Sequence, residues 1–230
     1  MELKGYGLLQ PGDRQRPLSN VELGNKNISF IVLRDRWSYL EETKDKYNFD
    51  YLLGQMERCI KFNKPFTISI MTGDDCNPDY LPKKQPWATA ITTRYGLLHH
   101  ELRKAMTTRG IDFTKVVGIW ITGPTVPSQE MHLNGAEKFA GYSAAKMESA
   151  WNDAITVIER VWGDLPTRFI LSISGQNPVF KFYLNNVILK VLDTFGSNSV
   201  AFQHNSLGTQ TSLGSNHHKK LLELHKKGYV

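Results

Sequence analysis

Residues 28–62 read ISFIVLRDRWSYLEETKDKYNFDYLLGQMERCIKF, and this stretch decides the fold. Its first part, residues 28–33, is a compact apolar run that is typical of a buried β-strand. Its second part, residues 49–62, places apolar side chains at the spacing of one helix face: Leu52, Leu53, Met56 and Ile60. The stretch therefore predicts one strand followed by one helix.

The same alternation continues along the chain. Further apolar runs occupy residues 66–71, 116–121, 169–173 and 200–202, and helix patterns alternate with them over residues 95–106, 143–160, 180–192 and 217–224. Strands that are apolar throughout and separated by helices are typical of a parallel sheet covered by helices. Polar strand ends and the lack of a glycine-rich phosphate fingerprint favour a barrel over a doubly wound sheet.

We therefore predict an α/β fold, an incomplete (β/α)8 TIM-like barrel with parallel strands and outer helices. Residues 1–230 form a single barrel-like domain in this interpretation, which ends before the last two barrel strands. An incomplete barrel exposes two strand edges, so we expect a homo-oligomer or a complementing chain to cover them.

Composition narrows the classes of function. The chain has 230 residues, of which 40% are hydrophobic, so it can bury one sizeable core. The formal net charge is +6, but the basic residues are scattered except in a tail that we interpret as a solvated helix face, and we do not expect nucleic-acid binding. No apolar run is long enough to span a membrane and residues 1–17 lack a signal-peptide pattern, so we expect a soluble chain of unassigned location.

Two cysteines, Cys59 and Cys76, are too few for a disulfide framework, and we expect both to be reduced thiols. They also lack the paired spacing of a zinc site, and no cluster of histidines and carboxylates has metal-ligand spacing. The sequence therefore predicts neither a metal nor a cofactor.

Polar and aromatic side chains follow nearly every predicted strand. They include Arg34, Asp35, Arg36 and Trp37, then Thr72, Asp74 and Asp75, then Gln129, Glu130 and His132, then Ser174, Gln176 and Asn177, and finally Gln203, His204 and Asn205. Amides and carboxylates bind sugar hydroxyls, flat rings stack on a pyranose, and an acid protonates the leaving oxygen. This collection of side chains predicts a carbohydrate site.

Within residues 30–53 a specific order of side chains appears: Arg34, Trp37, Leu40 with Glu41, and Tyr47 with Phe49. This order resembles the second strand and helix of retaining glycoside hydrolases of the β-galactosidase type, and the resemblance extends over about residues 28–205. It implies that residues 66–71 are barrel strand three and residues 116–121 are strand four.

The resemblance also implies an acid/base glutamate after strand four, where this chain has Gln129 and Glu130 in GPTVPSQEMHL. The family usually has an asparagine before that glutamate, and its nucleophilic carboxylate follows strand seven, which this chain does not reach. Asp35, Asp74 or Asp75 could substitute, although each is more often a loop carboxylate. The simpler alternative for Glu130 is a surface or capping residue.

These observations give a set of expected site residues. We expect Glu130 to be catalytic, and we expect substrate contacts from Arg34, Trp37, Asp74, Trp87, Gln129, Asn177, Gln203 and Asn205. The expected function is that of a glycoside hydrolase-like protein acting on a carbohydrate. Two alternatives stay open, a non-catalytic carbohydrate-binding or assembly protein with a degenerate barrel, and a small α/β protein unrelated to sugars.

Overall fold

A computed structural model of the chain describes residues 5–125, 138–172, 180–203 and 216–227. Six strands lie within these ranges: β1 (Tyr6–Leu9), β2 (Ile28–Arg36), β3 (Phe66–Met71), β4 (Val116–Trp120), β5 (Arg168–Ser172) and β6 (Val200–Gln203). Seven α-helices accompany them: α1 (Asn20–Gly24), α2 (Trp37–Leu40), α3 (Asp50–Lys61), α4 (Thr89–Arg109), α5 (Ala144–Trp162), α6 (Phe180–Phe195) and α7 (Asn216–Lys226).

The strands form one sheet in the order of the sequence, and every neighbouring pair is parallel. The sheet curls into a half-barrel with the helices outside it, which confirms the predicted incomplete TIM-like barrel. Parallel neighbours need a crossover connection, and the long helices between the strands provide it.

Local sequence explains where several helices begin and end. Ser19 and Glu22 form a reciprocal capping box at the start of α1. Ser143 caps α5, as predicted, because its side chain accepts a hydrogen bond from the Lys146 amide at 3.2 Å. Gly110 follows the end of α4 with a φ of 73°, a left-handed conformation that glycine adopts without strain.

The two faces of the sheet differ in packing. The main hydrophobic core lies between the sheet and the helices, and it includes Leu33, Ile68, Ile119 and Leu171 from the strands. The alternate residues of the same strands face the inside of the curl, which we call the concave face. A small apolar cluster of Val32, Trp120 and Ile170 fills part of that face.

Several elements differ from the sequence prediction, and the short helices α1 and α2 were not predicted. Strand β2 continues to Arg36, so Arg34 and Asp35 lie within the strand and not after it. Strand β1 was not predicted because its four residues, YGLL, are too short and too exposed to show a pattern. Helix α4 starts six residues earlier than the predicted Tyr95, at Thr89.

The cysteines agree with the prediction of reduced thiols. Cys59 and Cys76 are both buried and neither forms a disulfide. Burial raises the pKa of Cys59 to about 12 and that of Cys76 to about 11. None of the helices in the described ranges is both long and apolar enough to cross a membrane.

Candidate functional site

The carboxyl ends of the strands meet at one mouth of the half-barrel. At that mouth, on the concave face, the strand registers pair Arg36 of β2 with Met71 of β3, and Ser172 of β5 with Gln203 of β6. We call these four residues the rim layer. Below it lies the apolar cluster that contains Trp120, whose indole Nε1 donates a hydrogen bond to Thr67 Oγ1 at 3.0 Å. The mouth therefore has a polar rim above an apolar floor.

Two of the expected substrate residues lie on this face. Gln203 belongs to the rim layer and is partly exposed. Arg34 lies one level deeper and is only 9% exposed. The loop after β1 passes close above Arg34. A Cβ atom placed on Gly12 of this loop would collide with the sulfur of Met71 and lie 3.6 Å from the Cβ of Arg34. The half-barrel thus brings Arg34 and Gln203 to one face, with Arg34 mostly covered.

Trp37 has a different position from the one expected. It is fully buried, its ring lies 5.9 Å from that of Tyr95, and its Nε1 donates a hydrogen bond to Glu41 Oε2 at 3.0 Å. No face of the indole is open to a ligand. The expected substrate contact from Trp37 is therefore not supported, because the tryptophan is used to hold a buried carboxylate.

Glu41 is the centre of a buried charge network that the sequence did not reveal. Its second oxygen accepts a hydrogen bond from the Asp45 amide at 3.0 Å and one from Arg94 of helix α4. Arg94 also pairs with Asp45 Oδ1 at 2.6 Å and donates to the Tyr47 hydroxyl at 3.1 Å. We call Trp37, Glu41, Asp45, Tyr47 and Arg94 the motif network. Three of the side chains on which the resemblance rests, Trp37, Glu41 and Tyr47, therefore bond to one another or to Arg94 inside the fold.

Asp35, a possible nucleophile in the sequence analysis, faces the helices. Its carboxylate is fully buried and accepts hydrogen bonds from Arg14 Nε at 3.0 Å and Arg14 Nη2 at 2.7 Å. Burial raises the pKa of Asp35 even though the Arg14 contacts act in the opposite direction. The guanidinium of Arg14 also lies 5.1 Å from the ring centres of both Tyr39 and Tyr51. The pair fixes the loop after β1 onto β2 and does not reach the concave face.

Asp74 lies at the edge of a polar cleft outside the mouth. This outer cleft has a volume of about 420 Å³ and is lined by residues that follow β1, β2 and β3, among them Arg14, Tyr39, Asp74, Asp75 and Lys83. The Asp74 carboxylate accepts the backbone amide of Lys84 at 3.0 and 3.1 Å. Asp74 therefore holds its own loop, with part of its surface still facing the cleft.

Trp87 is partly buried against the main core and makes an edge-to-face contact with Tyr142, with ring centres 5.8 Å apart. It is separate from the rim layer in the fold, since it lies in the loop between β3 and α4. The structure thus divides the expected residues among the mouth, the outer cleft and the core.

The remaining expected residues, Gln129, Glu130, Asn177 and Asn205, lie outside the described ranges. The point at which the chain leaves β4 toward Glu130 is well fixed. Thr122 Oγ1 donates to the Ile70 carbonyl at 2.7 Å and lies 2.7 Å from the Tyr95 hydroxyl. Thr72 Oγ1 donates to the Gly123 carbonyl, also at 2.7 Å. These bonds continue the pairing of β3 and β4 beyond the end of the sheet.

No group of three His, Cys, Asp or Glu side chains in the part of the chain that the structure describes is arranged to hold a metal ion.

Ser172 is a rim residue that was not predicted from the sequence. Strand alternation signalled its position, because Ser172 lies two residues after Ile170 and therefore faces the same way.

Comparisons with known proteins identify the fold and no family. No family model matches the chain, and no curated protein matches it. Xylanase 10B from Thermotoga petrophila RKU-1, in complex with xylobiose, is 12% identical with a TM-score of 0.54, over 97% of this chain and 65% of that chain. D-psicose 3-epimerase in the presence of D-fructose is 10% identical with a TM-score of 0.51, over 87% of this chain and 63% of that one.

An exo-β-1,4-mannosidase, Op5Man5 from Opitutaceae bacterium strain TAV5, is 12% identical with a TM-score of 0.48. The match covers 66% of this chain and 26% of that chain. The chain thus spans between 26% and 65% of the length of these three structures. Glycoside hydrolases of the xylanase and mannosidase kinds are among the structural neighbours, and the β-galactosidase type is not confirmed. What the chain shares with the xylanase and the epimerase is the (β/α)-barrel fold.

Proposed function

We propose that this chain is a carbohydrate-acting protein of the glycoside hydrolase kind that binds its sugar at the mouth of the half-barrel. The observation that carries the proposal is the polar rim layer above an apolar floor, at the carboxyl ends of six parallel strands. Barrel enzymes build their sites at this end of the strands. The fold shared with a xylanase that was solved with xylobiose agrees with this proposal.

In this proposal Glu130 is the general acid/base, and the neighbouring Gln129 contacts the substrate. The fixed exit from β4 at Thr122 supports a defined starting point for the segment that contains both residues. Further substrate contacts come from Arg34 and Gln203 on the concave face and from Asn177 and Asn205 beyond β5 and β6. Asp74 in the outer cleft and Trp87 on its loop are the proposed contacts for a more distant part of the ligand.

The test is turnover of a panel of chromogenic aryl glycosides by the wild-type chain and by Glu130→Gln. A general acid typically contributes a factor of about 10² to 10⁴, so the variant should lose activity by that factor while its unfolding midpoint stays the same. Glu159→Gln on helix α5 is a matched control, because Glu159 is exposed and far along the helix from the mouth. Unchanged turnover in Glu130→Gln would refute the acid/base role.

A second candidate function is carbohydrate binding without catalysis. Retaining hydrolysis needs two carboxylates about 5 Å apart. The strand residues that the structure describes on the concave face include no Asp or Glu, so none of them can be the partner of Glu130. Glycan binding without turnover would support this second candidate, and measurable hydrolysis would end it.

We also propose that a second copy or a partner chain covers the edges of the sheet. Within the described ranges β1 and β6 each pair with one strand. Strand β1 also exposes Tyr6 at 80% and Leu9 at 50%, and exposed edges with apolar side chains favour association. Light scattering on the purified chain should give the mass of at least two copies. If it gives the mass of one copy, a partner chain from the host should bind to it. A stable monomer that binds no partner contradicts this part of the proposal.

A further inference from the structure

Charge is distributed unevenly over the concave face. The charged strand residues described on it are all arginines: Arg34, Arg36 and Arg168. The carboxylate nearest in sequence, that of Asp35, points to the helices and is bound by Arg14. The strand residues described on this face thus include positively charged side chains and no negatively charged one.

Arg36 is the arginine in the rim layer. Its guanidinium lies 5.6 Å from the centre of the Tyr39 ring, which supports the side chain from one side. No carboxylate among the residues that the structure describes lies within ion-pairing distance of it. Its Nε is buried and makes no hydrogen bond. A buried donor of this kind costs free energy unless a partner is supplied, so the arrangement favours an anion that arrives from outside.

Ser172 gives a second, independent sign of a ligand at the carboxyl ends of the strands. The residue is 1% exposed, and its Oγ is buried without a hydrogen-bond partner. Its neighbour in the register is Gln203, which carries an amide at the open side of the rim. A ligand that reaches the rim layer would meet a hydroxyl and an amide on one side and a guanidinium on the other, above the apolar floor.

We propose that the mouth of the half-barrel binds a sugar that carries an anionic group, a carboxylate or a phosphate, and that Arg36 binds this group. Ser172 and Gln203 contact the hydroxyls of the same sugar, and Trp120 and its apolar neighbours lie beneath it. This inference rests on the proposed carbohydrate site and adds the charge class of the ligand. A guanidinium can donate two parallel hydrogen bonds to the oxygens of one carboxylate or phosphate. Neutral hydroxyls do not offer this paired geometry to the same degree.

Isothermal titration at low salt tests the inference on the whole chain. The panel contains glucose, galactose and mannose, the uronate and the 6-phosphate of each, and inorganic phosphate. We expect at least one anionic sugar to bind tenfold or more tightly than its neutral counterpart, and its identity separates a carboxylate from a phosphate preference. Arg36→Gln should remove the preference, and Arg36→Lys should restore part of it.

Arg109→Gln is the control, because it removes the same charge from the outer surface of helix α4. It should leave the preference intact. Equal binding of neutral and anionic sugars, with no effect of Arg36→Gln, would overturn the inference and leave the carbohydrate site standing. Binding of inorganic phosphate as tightly as any sugar phosphate, or no binding of any sugar, would overturn both. Thermal unfolding of each variant confirms that it folds.

Discussion

The two faces of strand β2 use charged residues in opposite ways. On the helix side, Asp35 is fully buried, and its carboxylate is held by Arg14 at 2.7 Å. On the concave side, Arg36 has a buried Nε without a partner. Removing one partner of a buried charge pair strongly destabilises a fold, whereas a buried donor without a partner requires an explanation, and a ligand from outside is one such explanation. This difference indicates that Asp35 contributes to the fold, and it supports the proposal that the ligand binds on the concave face.

Removing Arg94 should have the largest effect on the helix side. Arg94→Met leaves Glu41, which is completely buried, without its cationic partner. Breaking a buried pair from one side costs about 3 to 5 kcal/mol, and urea unfolding at pH 7 should show a loss of that size. Arg109→Met on the exposed side of the same helix should leave the unfolding midpoint nearly unchanged. A small effect of Arg94→Met would mean that the motif network does not stabilise the fold.

The Arg14 and Asp35 pair should respond in a pH-dependent way. Arg14→Met should cost about 3 kcal/mol at pH 7, the lower end of the range for a broken buried pair, because Arg14 is more exposed than Arg94. Burial already raises the pKa of Asp35, and the loss of Arg14 raises it further. A raised pKa in the folded state gives stability at low pH that is lost as the pH rises through that pKa. Urea unfolding should therefore show a smaller difference between variant and wild type at pH 4 than at pH 7. The same difference at both pH values would refute this explanation.

The main strands and helices of this fold could be predicted because the sequence patterns that mark them are local. Continuous apolar runs marked β3 and β4, and Ser143 marked the start of α5. The motif network was not predictable, since Glu41 and Arg94 meet only through tertiary packing across 53 residues of sequence. For the same reason Trp37 was assigned to a sugar, although its indole is bonded to a buried carboxylate. The positions of Arg34 and Gln203 near the carboxyl ends of the strands could be predicted because these ends share one edge of a parallel sheet, and their contact with a substrate stays a prediction.

A buried histidine adds a third test of the helix side. His99 of helix α4 accepts a hydrogen bond from Trp162 Nε1 at 3.0 Å, and burial lowers its pKa to about 3. The unfolded chain takes up a proton near pH 6.5 and the folded chain does not, so stability is present above that pH and decreases as the pH falls toward 3. This group should account for a loss of about 1.4 kcal/mol between pH 8 and pH 5.5. His99→Gln should flatten that part of the pH profile, and an unchanged profile would contradict the prediction.

The concave side should show the smallest effect on stability. Arg36→Gln removes a guanidinium that has no ionic partner in the described structure, so the free energy of unfolding should change by no more than about 0.5 kcal/mol. Thermal and urea unfolding measure this directly. A loss as large as that of Arg94→Met would show that Arg36 supports the fold, and the contrast between the two faces of β2 would disappear.

Titration of sugar into the wild-type chain and two tryptophan variants tests directly whether the ligand binds at the mouth. Sugar affinity should be determined by titration for the wild-type chain, for Gln203→Trp in the rim layer and for Lys83→Trp in the outer cleft. We expect Gln203→Trp to weaken binding at least tenfold at an unchanged unfolding midpoint, and Lys83→Trp, at the more distant contact, to weaken it much less. Loss of binding in Lys83→Trp together with full affinity in Gln203→Trp would place the site in the outer cleft and contradict the account.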